Sequence, residues 1–309
     1  MIVIIAPSLD DKRIYPLRKW TPGGVFRSRG VIRHASGKGA NAARAVARRG
    51  GEVLLCAPAG PALRPLLDAQ LAALGVRLRL TPTRAETRCC VTVLEDDGRA
   101  TELVQEALPL ETDEALRFVA DTMDAIDAAR AVLLAGSLPS GLEADFYGRC
   151  ARHAAARGVP VVLDAQGEAV WTAIPGSNAV VKINREEFHA LHPLAAARDC
   201  EDNDRTAVRD REDDDLAAQL CRRGASAVVV TDGGAPVRVW TEAGRSMIAV
   251  PSVRVVNPVG SGDAMSGGIA AALAAGATLP EAVRAGIALG VANARTLLPG
   301  EICLPPGEV

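Results

Sequence analysis

Aromatic side chains are scarce in this chain: three Trp, two Tyr and four Phe among 309 residues. A core must therefore be built from Ala, Val, Leu and Ile, and a hydrophobic content of 49% supplies enough of them. Long apolar runs are missing. No stretch reaches membrane-spanning length, and the opening MIVIIAPSL is too short and lacks the basic start of a signal peptide, so a cytoplasmic protein is expected. Excess charge is missing as well: a net charge of -2 gives no reason to expect nucleic acid or an acidic membrane surface as partner. Seven cysteines, at 56, 89, 90, 150, 200, 221 and 303, form no CxxC pair. Zinc is not expected, and reduced thiols are. His189 and His192 stand three apart with nothing nearby to complete a metal site, so they read as surface histidines. There is no internal repeat, and no early GxGxxG follows a strand, which argues against a dinucleotide oxidoreductase.

What is present is alternation. Residues 2–6 read as a buried strand. Strands at 53–57, 77–80, 131–135, 160–164, 179–183 and 226–231 are separated by helical patterns at 39–49, 62–74, 112–127, 143–157, 185–191 and 213–223. Strands near 236–240 and 246–250 and helices at 264–275 and 280–294 close the chain. Strands joined by helical crossovers predict an α/β fold with a mainly parallel, doubly wound sheet. Two segments break the pattern. Residues 11–34 contain alternating stretches such as VFRSRGVIR, and residues 87–105 surround an Asp97-Gly98 hairpin turn. Both read as antiparallel strand pairs, so a separate small sheet (11–34 and 87–105) is expected beside an α/β domain formed by 1–10, 35–86 and 106–309. The Asp-, Glu- and Arg-dense residues 199–215 read as a solvated loop running into the next helix.

The stretch from Asn257 to Leu273, NPVGSGDAMSGGIAAAL, organises the rest. Val253, Val255 and Val256 look like a strand end, which Pro258 breaks. Gly260, Ser261 and Gly262 form a tight turn, and a buried helix is expected from Ala264. Its N-terminus suits a phosphate group, with Asp263 at the same end. No lysine completes a Walker A loop, and Met265 stands where a Rossmann fingerprint needs its third glycine. On this stretch alone, a phosphate site and a simple helix cap by Asp263 are equally open.

A second glycine-rich motif, SGKGAN at 36–41, stands far upstream. With GSGD at 260–263 it resembles the PfkB/ribokinase family of carbohydrate kinases, whose pattern is GGKGxN near the start and a G-[AS]-G-D turn near the end. The resemblance covers nearly the whole chain. APSLD (6–10), ETR (86–88), AGSLPSG (135–141) and KINREE (182–187) point to the branch that phosphorylates sugar phosphates, which includes 1-phosphofructokinase, tagatose-6-phosphate kinase and the minor 6-phosphofructokinase. It implies a ribokinase-like fold whose small antiparallel sheet is a lid over the sugar, with two lids pairing in a homodimer. It also implies an ATP-dependent phosphotransferase that uses magnesium.

The resemblance assigns roles residue by residue. Asp263 is implied as the base that takes the acceptor hydroxyl's proton. An ordinary aspartate titrates near ~3.9 and needs no special tuning to be ionised. The backbone around Gly260, Ser261 and Gly262 would stabilise the transferring charge. Asp10, at a strand's carboxyl end, would accept from sugar hydroxyls; a solvated turn carboxylate is the plain alternative. Ala6 stands where the family has Asn, and Ser36 where it has its first glycine. Gly37 and Gly39 would let the backbone approach the sugar, Asn41 would meet its hydroxyls, and Lys38 faces either a phosphate or solvent. Asn184 and Glu187 form a capping box that in the family organises magnesium through its waters. Lys182, Thr231 and Gly233 would meet the nucleotide phosphates, although Pro236 replaces the last glycine of that loop. Asn293 is a candidate near the adenine. Arg27, Arg88 and Ser137 would hold the acceptor's existing phosphate, against plain readings as surface arginines and a turn serine. Two other functions stay open: a kinase of a free sugar or nucleoside, and a non-catalytic sugar-phosphate sensor.

Overall fold

The computed structural model describes residues 1–192 and 205–303. Its elements in chain order are β1 (Ile2–Ile5), β2 (Asp10–Leu17), β3 (Ile32–Ser36), α1 (Lys38–Arg48), β4 (Val53–Ala59), α2 (Arg64–Gln70), β5 (Arg77–Pro82), β6 (Cys89–Glu95), β7 (Ala100–Val104), α3 (Thr112–Asp127) and β8 (Ala131–Ala135). Then follow α4 (Phe146–Ala155), β9 (Val161–Asp164), α5 (Glu168–Ala173), β10 (Val180–Asn184), α6 (Arg185–Ala190), α7 (Arg205–Arg222), β11 (Ala227–Thr231), β12 (Val237–Thr241), β13 (Gly244–Ile248), α8 (Ser261–Ala274) and α9 (Leu279–Ala294). They build a nine-stranded sheet in the order β13-β12-β11-β10-β9-β8-β1-β4-β5 and a four-stranded sheet in the order β3-β2-β6-β7.

From β11 to β5 every neighbour in the large sheet is parallel, and β12 and β13 add an antiparallel edge. Alternate residues of each strand face opposite ways, and helices cover both faces. Ile2, Ile4, Leu55, Leu133 and Val229 pack with α1, α8 and α9 in a core of small and aliphatic side chains. Val3, Ile5, Leu134, Leu163 and Val230 pack on the other side, where the buried aromatics gather: Phe118, Phe146, Tyr147, Phe188 and Trp240. The few aromatics the chain has are thus concentrated on one face. The strand order reverses between β1 and β8, and ligands collect in such crevices at the carboxyl ends of strands.

The small sheet joins two hairpin-like pairs through a parallel contact: β2 is antiparallel to β3 and parallel to β6, and β6 is antiparallel to β7. One face buries Ile14, Cys90, Thr92 and Leu94. The other leaves Tyr15, Val91 and Val93 half-buried and Leu103 63% exposed.

Several boundaries differ from the sequence reading. The VFRSRG alternation forms no strand; residues 18–31 are a loop, pinned where Ser28 Oγ donates to the Pro16 carbonyl. Residues 253–256 are not a strand either, because the Val256 and Asn257 amides bond to the Ala294 carbonyl at the end of α9. Helix α8 begins at Ser261, so Asp263 lies inside its first turn. Helix α7 begins at Arg205, within the segment read as a loop; residues 199–204 of that segment lie outside the described residues. Helix α5 was not anticipated. None of the six described cysteines is in a disulfide, and no group of residues suited to a metal ion is found among the described residues. His189 is not a bare surface histidine, since its Nε2 lies 2.9 Å from Asp213 Oδ1. No described helix is long and apolar enough to cross a membrane.

Candidate active site

The carboxyl ends of β9, β10 and β11 carry Asp164, Asn184 and Thr231. Asp164 is fully buried, and three donors converge on it: Lys38 Nζ at 2.7 Å, Lys182 Nζ at 3.0 Å and Ser266 Oγ at 2.5 Å. Burial opposes the charged form, but the Lys182 and Lys38 ammoniums outweigh it and hold the Asp164 carboxyl well below its usual range. Lys38 opens α1 and also donates to Glu187 Oε1 at 3.2 Å. Burial pulls its ammonium down, yet Asp164, Glu187 and Asp263 together raise it above the ordinary lysine value. Both partners are therefore ionised.

Helix α8 meets this cluster end-on. Gly260 caps it with φ 86°, and a Cβ there would lie 2.9 Å from Asn293 Oδ1 and from the Pro299 ring. At Gly262 a Cβ would lie 2.8 Å from Lys182 Nζ, so a side chain there would push the ammonium back from the first turn. Ser261 Oγ is buried without a hydrogen-bond partner. Asp263 accepts from Asn41 Nδ2 at 2.8 Å. Its environment departs from the ordinary aspartate assumed from sequence. Burial and the nearby Asp164 carboxylate push Asp263 up to about 6, against the pull of Lys38, the Asn41 hydrogen bond and Lys182. A carboxylate poised there accepts a proton at neutral pH and releases it easily.

The strand reversal carries a second, sparser group. Asp10 follows β1 and receives Arg88 Nε at 2.5 Å; the two side chains are only 10% and 15% exposed. Both terminal amino groups of Arg88 are without a protein partner among the described residues. Ser8 Oγ lies 3.1 Å from Ser137 Oγ, tying the loop after β1 to the loop after β8. Arg88, Ser8, Thr87 and Leu110 line a small cleft of about 40 Å³ beside this pair.

The comparisons decide the family. The profile of the pfkB family carbohydrate kinases matches residues 3–305. The chain belongs to that family. Phosphofructokinase-2 from Escherichia coli in complex with fructose-6-phosphate is similar over 97% of this chain and 95% of its own, at 26% identity and a TM-score of 0.80. The same enzyme in complex with potassium matches at 28% identity, a TM-score of 0.79 and coverage of 98% and 94%. A Thermotoga maritima protein described as a possible 1-phosphofructokinase shares the fold at 19% identity, with a TM-score of 0.81 over 98% of this chain and 94% of its own. This PfkB chain is a sugar kinase, a phosphotransferase, and the non-catalytic sensor is set aside.

Within the kinase, Gly37, Lys38 and Asn41 all lie at the start of α1, with Gly37 as its N-cap, and Lys38 turns to carboxylates rather than to solvent. Asn184 caps α6 by accepting from the Glu187 amide at 2.8 Å, and Glu187 returns the bond at 3.3 Å. Thr231 is half-buried, and Gly233 lies in an exposed turn just beyond it. Two expected site residues have other surroundings than the sequence suggested. Asn293 is fully buried beside Gly260, accepts from the Gly300 amide and donates to Thr296, fixing the segment after α9. Arg27 is not on a strand; it lies exposed in the 18–31 loop. Sequence reasoning missed Asp164, Ser266 and Ser8. Asp164 carried a readable signal, an acid ending the apolar run VVLD at a strand's carboxyl end. Ser266, inside an Ala- and Gly-rich helix, carried none.

Proposed function

We propose that this PfkB kinase transfers the γ-phosphate of ATP to a hydroxyl of a phosphorylated ketohexose: fructose-1-phosphate, fructose-6-phosphate or tagatose-6-phosphate. Arg88 carries the reading. Its side chain is largely sequestered, bonds Asp10 through Nε, and has no hydrogen bond from its outer fork among the described residues, beside a cleft. A planar fork of that kind suits a phosphate, and Ser137 stands at the adjoining loop. Asp10 and Asn41 are then left for the sugar hydroxyls.

In this reading Asp263, ionised above about pH 6, accepts the proton of the attacking hydroxyl. The hydroxyl oxygen bonds to the γ-phosphorus as the bond to the β-phosphate oxygen breaks. The N-terminus of α8 and the Lys182 ammonium, which lies against Gly262, stabilise the charge on the transferring group. Magnesium fits through water rather than directly. Asn184 Oδ1 and both Glu187 oxygens already hold hydrogen bonds, as expected where the ion keeps its own waters. When bound, it would neutralise phosphate charge. Lys182, Asn184, Glu187, Thr231 and Gly233 make up the nucleotide side.

The small sheet serves as a lid that closes over the sugar and excludes water. Its apolar outer face, with Tyr15, Val91, Val93 and Leu103, would be covered by the same face of a second copy, giving a homodimer. Sedimentation velocity at micromolar concentration should show a dimer; a monomer there would remove this claim alone.

A second reading has its own support. Because Asp10 compensates the Arg88 charge, the arginine could orient Asp10 toward the hydroxyls of a free sugar or nucleoside. A coupled ADP-release assay over a panel of sugars, nucleosides and sugar phosphates separates the two. One sugar phosphate should exceed its unphosphorylated counterpart in kcat/KM by at least about tenfold, since a charged hydrogen bond contributes roughly 1.5–3 kcal/mol. Preference for the free sugar would put the second reading first.

A further inference from the structure

Ser36 ends β3, directly across from Asp10 of β2. It is fully buried, and its Oγ donates to Asn41 Oδ1 at 3.0 Å. Asn41 is 3% exposed and donates through Nδ2 to Asp263 Oδ2 at 2.8 Å. The polarity of this chain of bonds is forced. An ionised carboxylate only accepts, so the amide edge facing Asp263 must be the NH2 group. The opposite edge is then a carbonyl, which also only accepts, and a hydroxyl beside it supplies the donor. Without that donor the carbonyl is buried unpaired, and a flip of the amide would set its oxygen against Asp263.

We propose that Ser36 is a positioning residue for the catalytic base: by fixing the orientation of the Asn41 amide, it holds Asp263 aligned and ionised for the acceptor hydroxyl. The inference rests on the reading of Asp263 as that base. Glycine, which stands at this position in the family pattern, carries no hydroxyl and could not do this. One Asn41 N–H is committed to Asp263 and the second remains for a substrate hydroxyl, so the same amide registers both base and acceptor. Ser36 also lies where the small sheet joins α1, so a shift of that sheet acts on the base through two hydrogen bonds.

The groups facing Asp263 are known from each element around it. Asp164 at the end of β9 favours its protonation, while Lys38 of α1, Lys182 of β10 and the Asn41 hydrogen bond favour ionisation. Arg44, also on α1, is turned away to the Ala35 and Pro299 carbonyls. Losing the Asn41 donor therefore shifts the balance toward the protonated acid.

The test is the pH profile of kcat in Ser36→Ala, with Ser36→Thr as the variant that keeps the hydroxyl. For Ser36→Ala the acid limb should move upward by about half a pH unit or more. Its kcat near neutral pH should fall several-fold with the KM for ATP unchanged, and Ser36→Thr should restore both. An unmoved acid limb in Ser36→Ala would overturn the proposal, whether or not kcat falls, because a merely structural serine would leave the limb in place. Neutron diffraction of the wild-type protein gives a reading independent of any variant's folding. Deuterons on Asn41 Nδ2 toward Asp263 and on Ser36 Oγ toward Asn41 are expected, and the reversed amide would refute it. Asp263→Asn separates the layers. If that variant keeps its turnover, the base reading fails; if it collapses while the Ser36→Ala limb stays put, only the positioning role fails.

Discussion

The two ends of the candidate cleft are built on different principles. At one end Lys38, Lys182 and Ser266 converge on the buried Asp164, Lys38 also reaches Glu187, and beside them Asn41 bonds to Asp263, so most polar groups there already have a partner. At the other, Asp10 and Arg88 form one ion pair, and Ser8 meets Ser137 in a single contact. The first end is preorganised before any ligand arrives, as a group stabilising a transition state must be. The second keeps donors in reserve, as a group that recognises an incoming anion must. On the proposed reading turnover belongs to the network and substrate preference to the pair, and variants at each end should separate kcat from KM.

The largest effect is expected at the network end. Asp263→Asn keeps the size of the side chain but cannot take the proton, so kcat should fall by at least about 100-fold, the usual worth of a general base. ATP and sugar-phosphate binding, followed by calorimetry, should persist. Turnover within about tenfold of wild type would mean that Asp263 is not the base. Asp164→Asn comes next. It leaves the Lys182 ammonium, only 4% exposed, facing a neutral amide, while Lys38 keeps Glu187, and removing one partner of a buried pair destabilises by about 3–5 kcal/mol. Urea unfolding measures this, and a loss under about 1 kcal/mol would show that Lys182 finds another partner.

The same contrast runs through what the sequence revealed. Helix α3 and strand β8 were read to the residue, because Glu111 and Glu114 form a capping box at the start of α3 and β8 is an unbroken apolar run. The Asp97-Gly98 turn was legible for a local reason too, Gly98 having φ 84°. What local pattern cannot carry is partnership. Val253, Val255 and Val256 have strand propensity, yet their backbone found α9 instead of a neighbouring strand, and Val255 and Val256 remain exposed. Asn293 read as an amide near a ligand, and its bonds to Gly300 and Thr296 come from residues whose placement no local pattern shows. Asp263 was legible as an acid at a helix start. Its displaced pKa was not, because that depends on burial and on Asp164, ninety-nine positions earlier in the chain.

The smallest variant effect bears most directly on the central claim, that the acceptor already carries a phosphate. Arg88→Ala should raise the KM for the sugar phosphate by at least about tenfold, since each 1.4 kcal/mol is a factor of ten and a charged hydrogen bond contributes roughly 1.5–3. The KM for ATP should barely change, because Arg88 lies at the strand reversal while the residues proposed for the nucleotide stand at the ends of β10 and β11. Kinetics against both substrates decide the matter. A sugar-phosphate KM that rises alone is the predicted result, and a sugar-phosphate KM that does not move would contradict the account.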